Sequence, residues 1–72
     1  MTRTPDFPYL RVAADLREKI ESGEMLPGEQ VPSLDKISAT YNVSRVTARR
    51  ALKALADEGL VEIKPRCGTF VR

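Results

Sequence analysis

The sequence of 72 residues contains no histidine and a single cysteine, Cys67. Histidine is the commonest general base and the commonest metal ligand in proteins, so its absence removes the usual means of acid–base catalysis and of metal binding. A lone cysteine can form neither a disulfide within the chain nor a cysteine-rich metal site. We therefore expect no enzyme, no metal and no cofactor, and we interpret Cys67 as structural or incidental.

Long apolar runs are also missing. No run approaches the ~20 residues that a membrane-spanning helix needs. The N-terminus lacks the charged and then apolar pattern of a signal peptide. A cytoplasmic location is the resulting prediction. A chain of this length predicts one small domain, which buries about 60% of the surface that the unfolded chain exposes.

The net charge of +2 does not indicate a partner, but the distribution of charge along the chain is informative. Residues 15–30 carry two basic and five acidic side chains, whereas residues 31–56 carry five basic and one acidic. A polyanionic partner requires a domain with one basic face. We interpret the acidic side chains of the first helix and its end as a solvated face that points away from such a partner: Asp15, Glu18, Glu21 and Glu24.

Apolar spacing divides the chain into an arm and a folded domain. Residues 1–8 contain two prolines and no periodic pattern, which predicts a flexible N-terminal arm. Its Arg3 could reach the polyanionic partner, or the arm could remain a disordered tail. Residues 9–72 form the predicted domain. Within it, apolar residues from Tyr9 onward recur at helical intervals and predict a first helix, for which Pro8 suits the first turn and Gly23 the end.

Two further helices follow in close succession. Ser33 can cap the second helix and Ser44 the third, because each hydroxyl can accept a hydrogen bond from a free backbone amide. Asn42 lies between them and tolerates the left-handed conformation of a tight turn. Gly59 ends the third helix. The two caps and the turn predict a helix-turn-helix.

The C-terminal residues change to an alternating pattern. The segments "LVEIK" and "TFVR" predict two short strands, and "PRCG" between them predicts the turn of a β-hairpin with a basic tip. Val31 could form one more very short strand. A helix-turn-helix followed by a hairpin is mainly α with a small β-hairpin, the winged helix-turn-helix architecture.

The third helix has two contrasting faces on a helical wheel. Ala48, Ala51, Leu52 and Leu55 form one apolar stripe, which we expect to face the core. The opposite side carries Arg45, Val46, Arg49, Arg50 and Lys53. Arginine can bind guanine through two major-groove acceptors, a valine or threonine methyl can touch thymine, and hydroxyls can hold phosphate. The alternative is a solvated face in which arginines are merely good helix formers; the helix-turn-helix context favours DNA binding.

Three segments resemble a known family: "YLRVAADLREKIESGEMLPGEQVPS", "YNVSRVTARRALKALADEGLVE" and "GTFV". Together they cover residues 9–71 and resemble the N-terminal DNA-binding domain of GntR-type bacterial transcription regulators. The resemblance implies a winged helix that binds a palindromic operator as a two-fold dimer, with the third helix in the major groove and the wing at the minor groove. It implies DNA contacts from Ser44, Arg45, Val46, Thr47, Arg49, Arg66 and Gly68. Our further candidates are Ser33, Lys36, Arg50 and Lys53, the last two for phosphate.

The sequence departs from the family pattern in three respects. Leu34-Asp35 replaces the usual Glu-Arg, so a carboxylate lies where a cation is expected, and Lys36 could substitute from a neighbouring angle. The wing has Arg66 where the first of two glycines is usual, which predicts an altered turn. The large effector and dimerisation domain of the family does not follow, so the chain is either one domain of a longer regulator or a minimal protein; an effector would bind that absent domain.

Two functions remain open from the sequence. The first is sequence-specific binding of double-stranded DNA as the operator-reading module of a regulator, with repression as the expected outcome. The second is a winged helix that docks another protein and has only weak, non-specific affinity for DNA. Asp35 and the modest net charge motivate the second.

Overall fold

The computed structural model of the protein describes residues 8–72, and the predicted arm up to Phe7, including Arg3, lies outside them. No helix in the described part is long and apolar enough to cross a membrane. Three helices precede an antiparallel hairpin of two strands. In chain order the elements are α1 (Pro8–Glu21), α2 (Leu34–Tyr41), α3 (Arg45–Asp57), β1 (Val61–Lys64) and β2 (Gly68–Val71).

The helix boundaries follow from side chains that cap free backbone groups. The Ser33 hydroxyl accepts a hydrogen bond from the Lys36 amide at 3.2 Å, which satisfies an amide at the start of α2. The Ser44 hydroxyl does the same for the Thr47 amide at 3.1 Å, at the start of α3. Between the two helices Asn42 has a φ of 55°, the left-handed conformation of a helix end. The predicted helix-turn-helix is thereby confirmed.

Helix α3 lies at the centre of the fold, where it packs against α1, α2 and β1. The predicted apolar stripe is buried along its whole length, from Ala48 to Leu55. Leu16 of α1, Ile37 of α2 and Val61 of β1 complete the same core. Because burying a leucine or isoleucine side chain contributes about 1.5–3 kcal/mol, this core orients α3 and leaves its opposite side to solvent.

The hairpin is tied to the loop that precedes α2. Its strands pair antiparallel, with Val61 opposite Val71. The predicted strand at Val31 is reduced to a single bridge, which joins Gln30 to Phe70. The Val31 amide donates to the Thr69 carbonyl at 2.7 Å, but Pro32 has no amide with which to continue a ladder. The bridge and the hydrogen bonds around it tie the hairpin to the loop that leads into α2.

One of the acidic side chains that we interpreted as solvated belongs to the packing between helices. Asp15 is half-buried, and the Tyr41 hydroxyl donates a hydrogen bond to its carboxylate. Burial, followed by this hydrogen bond, raises the pKa of Tyr41. The interpretation of Asp15 as part of a solvated face is therefore wrong, because the crossing of α1 and α2 brings a tyrosine hydroxyl over it.

Candidate nucleic-acid interface

The side of α3 opposite the core is exposed and basic. Arg45, Arg49, Arg50 and Lys53 are all exposed there, and no acidic residue lies among them in the helix. Val46 is 70% exposed in their midst, although it is a β-branched apolar residue. A single exposed valine is ordinary on a protein surface. A valine surrounded by cations at the start of a capped helix is a suitable contact for a thymine methyl group.

A groove runs between α3 and the hairpin. One wall carries Arg45, Arg49 and Lys53, and the other carries Lys64 and Arg66. The acidic side chains in the lining of this groove are Asp35, from the first turn of α2, and Asp57, from the last turn of α3. Cations outnumber carboxylates on both walls, so the groove is suited to a polyanion.

Each of the two carboxylates in the groove has a cationic partner on α3. The Nε atom of Arg45 lies 3.0 Å from Oδ1 of Asp35, in an ion pair that joins α3 to α2. Lys53 lies 3.9 Å from Asp57, one helical turn away. Among residues 8–72 neither Arg49 nor Arg50 forms an ion pair with a carboxylate, and of these two Arg49 is the one that lines the groove.

The tip of the hairpin, which we call the wing (residues 65–67), places a cation at the mouth of the groove. Arg66 is exposed and has a φ of 69°, in the left-handed region that favours glycine. The turn therefore keeps the conformation that a glycine would adopt, at the expense of local strain in Arg66. Gly68 is half-buried, and a Cβ atom there would lie 2.5 Å from Nε2 of Gln30. The Gln30 amide also donates to the Cys67 carbonyl at 3.4 Å, so Gln30 holds the wing.

Several predicted site residues have structural partners or lie elsewhere. Lys36 lines a separate depression between α1 and α2 and is not part of the groove lining, so its contact with DNA stays a prediction. Ser33 lines the groove but caps α2. The Ser44 hydroxyl, besides capping α3, donates to the Thr47 hydroxyl at 3.0 Å, which leaves the Thr47 hydrogen available for a partner. Arg50 lies over the Tyr9 ring, 4.4 Å from its centre.

Three features of the site could not be found by reading the sequence. These are the Asp35–Arg45 pair, the stacking of Arg50 on Tyr9, and the position of Gln30 under the wing. Each joins residues from different segments of the fold. Only Asp35 carried a signal, because its charge conflicted with the basic surroundings.

Comparison with known proteins agrees with this geometry. The profile of the bacterial regulatory proteins of the gntR family matches residues 8–71. The mannosyl-D-glycerate transport/metabolism system repressor MngR of Escherichia coli (strain K12) is 36% identical over 64 residues, which are 89% of this chain and 27% of that protein. The chain thus spans about a quarter of the length of that curated relative.

Solved structures show the same fold. A crystal structure of a GntR-family transcriptional regulator is 49% identical, with a TM-score of 0.84, and the match covers 90% of this chain and 26% of that one. The DNA-binding domain of AraR in complex with operator ORE1 is 30% identical, with a TM-score of 0.89, and the match covers 97% of this chain and 83% of that one. The three-helix and hairpin architecture is therefore that of a winged-helix DNA-binding domain.

Proposed function

The chain belongs to the GntR family of bacterial regulatory proteins, and we propose that it is the operator-reading module of a transcriptional repressor. The observation that carries the proposal is the groove between α3 and the hairpin, with cations on both walls. The similarity to MngR, a repressor, and to the AraR domain in complex with its operator supports it. A DNA partner is also the reason to propose a cytoplasmic location.

The proposed docking places the start of α3 in the major groove. Arg45 and Arg49 then contact base edges, and Val46 and Thr47 lie close enough to offer methyl and hydroxyl groups. Lys53, farther along the same face, contacts phosphate. Arg50 is positioned by the Tyr9 ring, so it reaches the DNA backbone from the α1 side of the helix.

The wing contributes from the opposite wall of the groove. Arg66 extends from the tip into the neighbouring minor groove or onto its phosphates, and Gly68 allows the strand to pack against Gln30 behind it. The Lys64 side chain lies over the Phe70 ring, 5.4 Å from its centre, so it is held close to the same wall.

Tight binding requires two copies of the domain. A single module buries only about 600–1,000 Å² of protein surface on DNA, so one copy binds a half-site weakly. We therefore infer a homodimer on a palindromic operator. The chain covers 27% of the length of MngR, so we propose that any effector of such a regulator binds outside residues 8–72.

The protein-docking alternative rested on an unexplained carboxylate at a DNA-facing position. The Asp35 carboxylate lies 3.0 Å from Nε of Arg45, so the fold itself supplies a cationic partner for it. The pairing removes the main reason to prefer a protein partner.

The test is a selection of the purified chain, fused to a dimerising coiled coil, against a random-sequence DNA pool at near-physiological salt. We expect enrichment of a palindromic motif whose half-site spacing reports the dimer geometry. A pool that stays random, with binding that disappears as the salt concentration rises, would contradict sequence-specific binding and revive the protein-docking alternative.

The wing offers a variant that separates binding from folding. The Arg66→Gly substitution removes the cation but also relaxes the left-handed strain, so the variant should be at least as stable as the parent. We expect weaker binding to the selected motif and a salt dependence reduced by about one unit of slope, as for one lost phosphate contact. Unchanged affinity would exclude the Arg66 side chain from the interface.

A further inference from the structure

Asp35 lies where the two helices of the helix-turn-helix begin. It is the second residue of α2, and Arg45 is the first residue of α3, so each belongs to the first turn of its helix. The tight turn at Asn42 brings these two helix starts together, and Nε of Arg45 lies 3.0 Å from Oδ1 of Asp35. Both side chains line the groove that we propose to receive DNA.

The atoms involved decide what remains available for a partner. Arginine has five N–H donors in a planar fork, one on Nε and four on the two terminal nitrogens. The ion pair at 3.0 Å involves Nε, the terminal nitrogens make no hydrogen bond among residues 8–72, and the Arg45 side chain is 67% exposed. Those terminal nitrogens can bind the two major-groove acceptors of guanine. A long exposed arginine without such a partner would populate many rotamers and lose that freedom on binding.

The charge of Asp35 and its position beside Arg45 have opposite effects on DNA binding. A carboxylate in a groove that meets phosphates weakens attraction to any DNA, whatever its sequence. A residue that lowers general affinity while it orients one base-reading side chain increases the difference between specific and non-specific sites.

We propose that Asp35 is a specificity-determining positioning residue, which holds Arg45 through its Nε atom so that the terminal nitrogens meet a guanine. This proposal rests on the proposed function. It assigns a role to Asp35, the residue that departs from the family pattern. Asp35 itself contacts no base.

The experiment compares Asp35→Asn with Asp57→Asn in the dimerised protein. Both variants remove one exposed carboxylate from the same groove, and each carboxylate has a cationic partner on α3. Binding is measured to the selected motif, to every single-base variant of it and to a random duplex, over a salt series. Thermal unfolding checks that both variants fold.

Both variants should bind the random duplex more tightly, by a similar factor. Only Asp35→Asn should also reduce base discrimination, by about threefold to tenfold, at the base pair where Arg45→Ala reduces it. For comparison, a full bidentate contact discriminates between bases by roughly 5-fold to 150-fold. In an Arg45→Ala background, Asp35→Asn should cause no further loss, because the two residues act through one contact.

Three results would overturn the proposal. Equal base profiles for the two variants would show that Asp35 acts only through its charge. Loss of discrimination at a base pair that Arg45 does not read would show that Asp35 contacts a base itself, as a carboxylate does with the cytosine amino group. If Asp35→Asn still reduced base discrimination in the Arg45→Ala background, Asp35 would act independently of Arg45. None of these affects the proposed function, which fails separately if the parent protein selects no motif.

Discussion

Helix α3 has an arginine–carboxylate pair at each end, and the two pairs differ in exposure and geometry. At its C-terminal end, Arg17 of α1 donates two hydrogen bonds to Glu58, from Nε at 2.8 Å and from Nη2 at 2.5 Å. These side chains are 33% and 42% exposed. At its N-terminal end, Nε of Arg45 lies 3.0 Å from Oδ1 of Asp35, and these side chains are 67% and 76% exposed.

Both pairs join two parts of the fold, but Arg17 is bound to Glu58 through two nitrogens, whereas no hydrogen bond occupies the terminal nitrogens of Arg45 among residues 8–72. The bidentate contact with Arg17 lowers the pKa of Glu58, and the same hydrogen bond raises the pKa of Arg17, so each group stabilises the charge of the other. Arg45 keeps its terminal nitrogens accessible in the groove. The same pair of chemical groups serves the fold at one end of α3 and, on our proposal, DNA recognition at the other.

The largest expected effect is on DNA binding at the N-terminal end. Arg45→Ala should reduce affinity for the selected motif by about 1–3 kcal/mol and relax base preference at one position. The thermal midpoint should change little, because an exposed ion pair contributes little to stability. Fluorescence anisotropy with a labelled duplex measures the first quantity, and circular dichroism the second. Full affinity in the variant would remove Arg45 from the interface.

A smaller effect, on stability rather than on DNA binding, is expected at the C-terminal end of α3. Arg17→Ala should lower the thermal midpoint by a few degrees, because it breaks the bidentate link between α1 and the end of α3. It should leave the base profile of DNA binding unaltered. A variant that keeps the parent midpoint but binds DNA less well would reverse the roles that we assign to the two pairs.

The smallest expected effect is the pH dependence of the stability that the Arg17–Glu58 pair contributes. Because the folded-state pKa of Glu58 lies below its ordinary value of 4.5, the pair stabilises the fold above that pH and ceases to do so as the pH falls through the lowered value. Glu58→Gln should therefore be less stable than the parent protein at pH 7, and the gap should close in acid. Thermal unfolding of both proteins at pH 7 and pH 3 measures it; a constant gap would mean that ionisation of Glu58 is not its cause.

Much of the site was predictable from local sequence. Ser33, Asn42 and Ser44 mark helix ends because caps and left-handed turns depend on residues within one helical turn. The apolar stripe of α3 follows from helical periodicity, and periodicity also places Arg45, Arg49 and Lys53 on one exposed side. The stacking of Arg50 on Tyr9 and the position of Lys36 outside the groove were not predictable, because both depend on how α1 packs against the other helices.

The sequence by itself determined the order of the elements, the buried face of α3 and the basic character of its opposite face, since these depend on spacing of 3.6 or 2 residues and on nearby side chains. Only the tertiary structure decided that Asp35 pairs with Arg45, that Tyr41 covers Asp15, and that Gln30 holds the wing. Those contacts join separate elements, and their partners are selected by the angles at which helices and hairpin pack. A shift of one helical turn would exchange the partners and leave every local pattern in the chain unchanged.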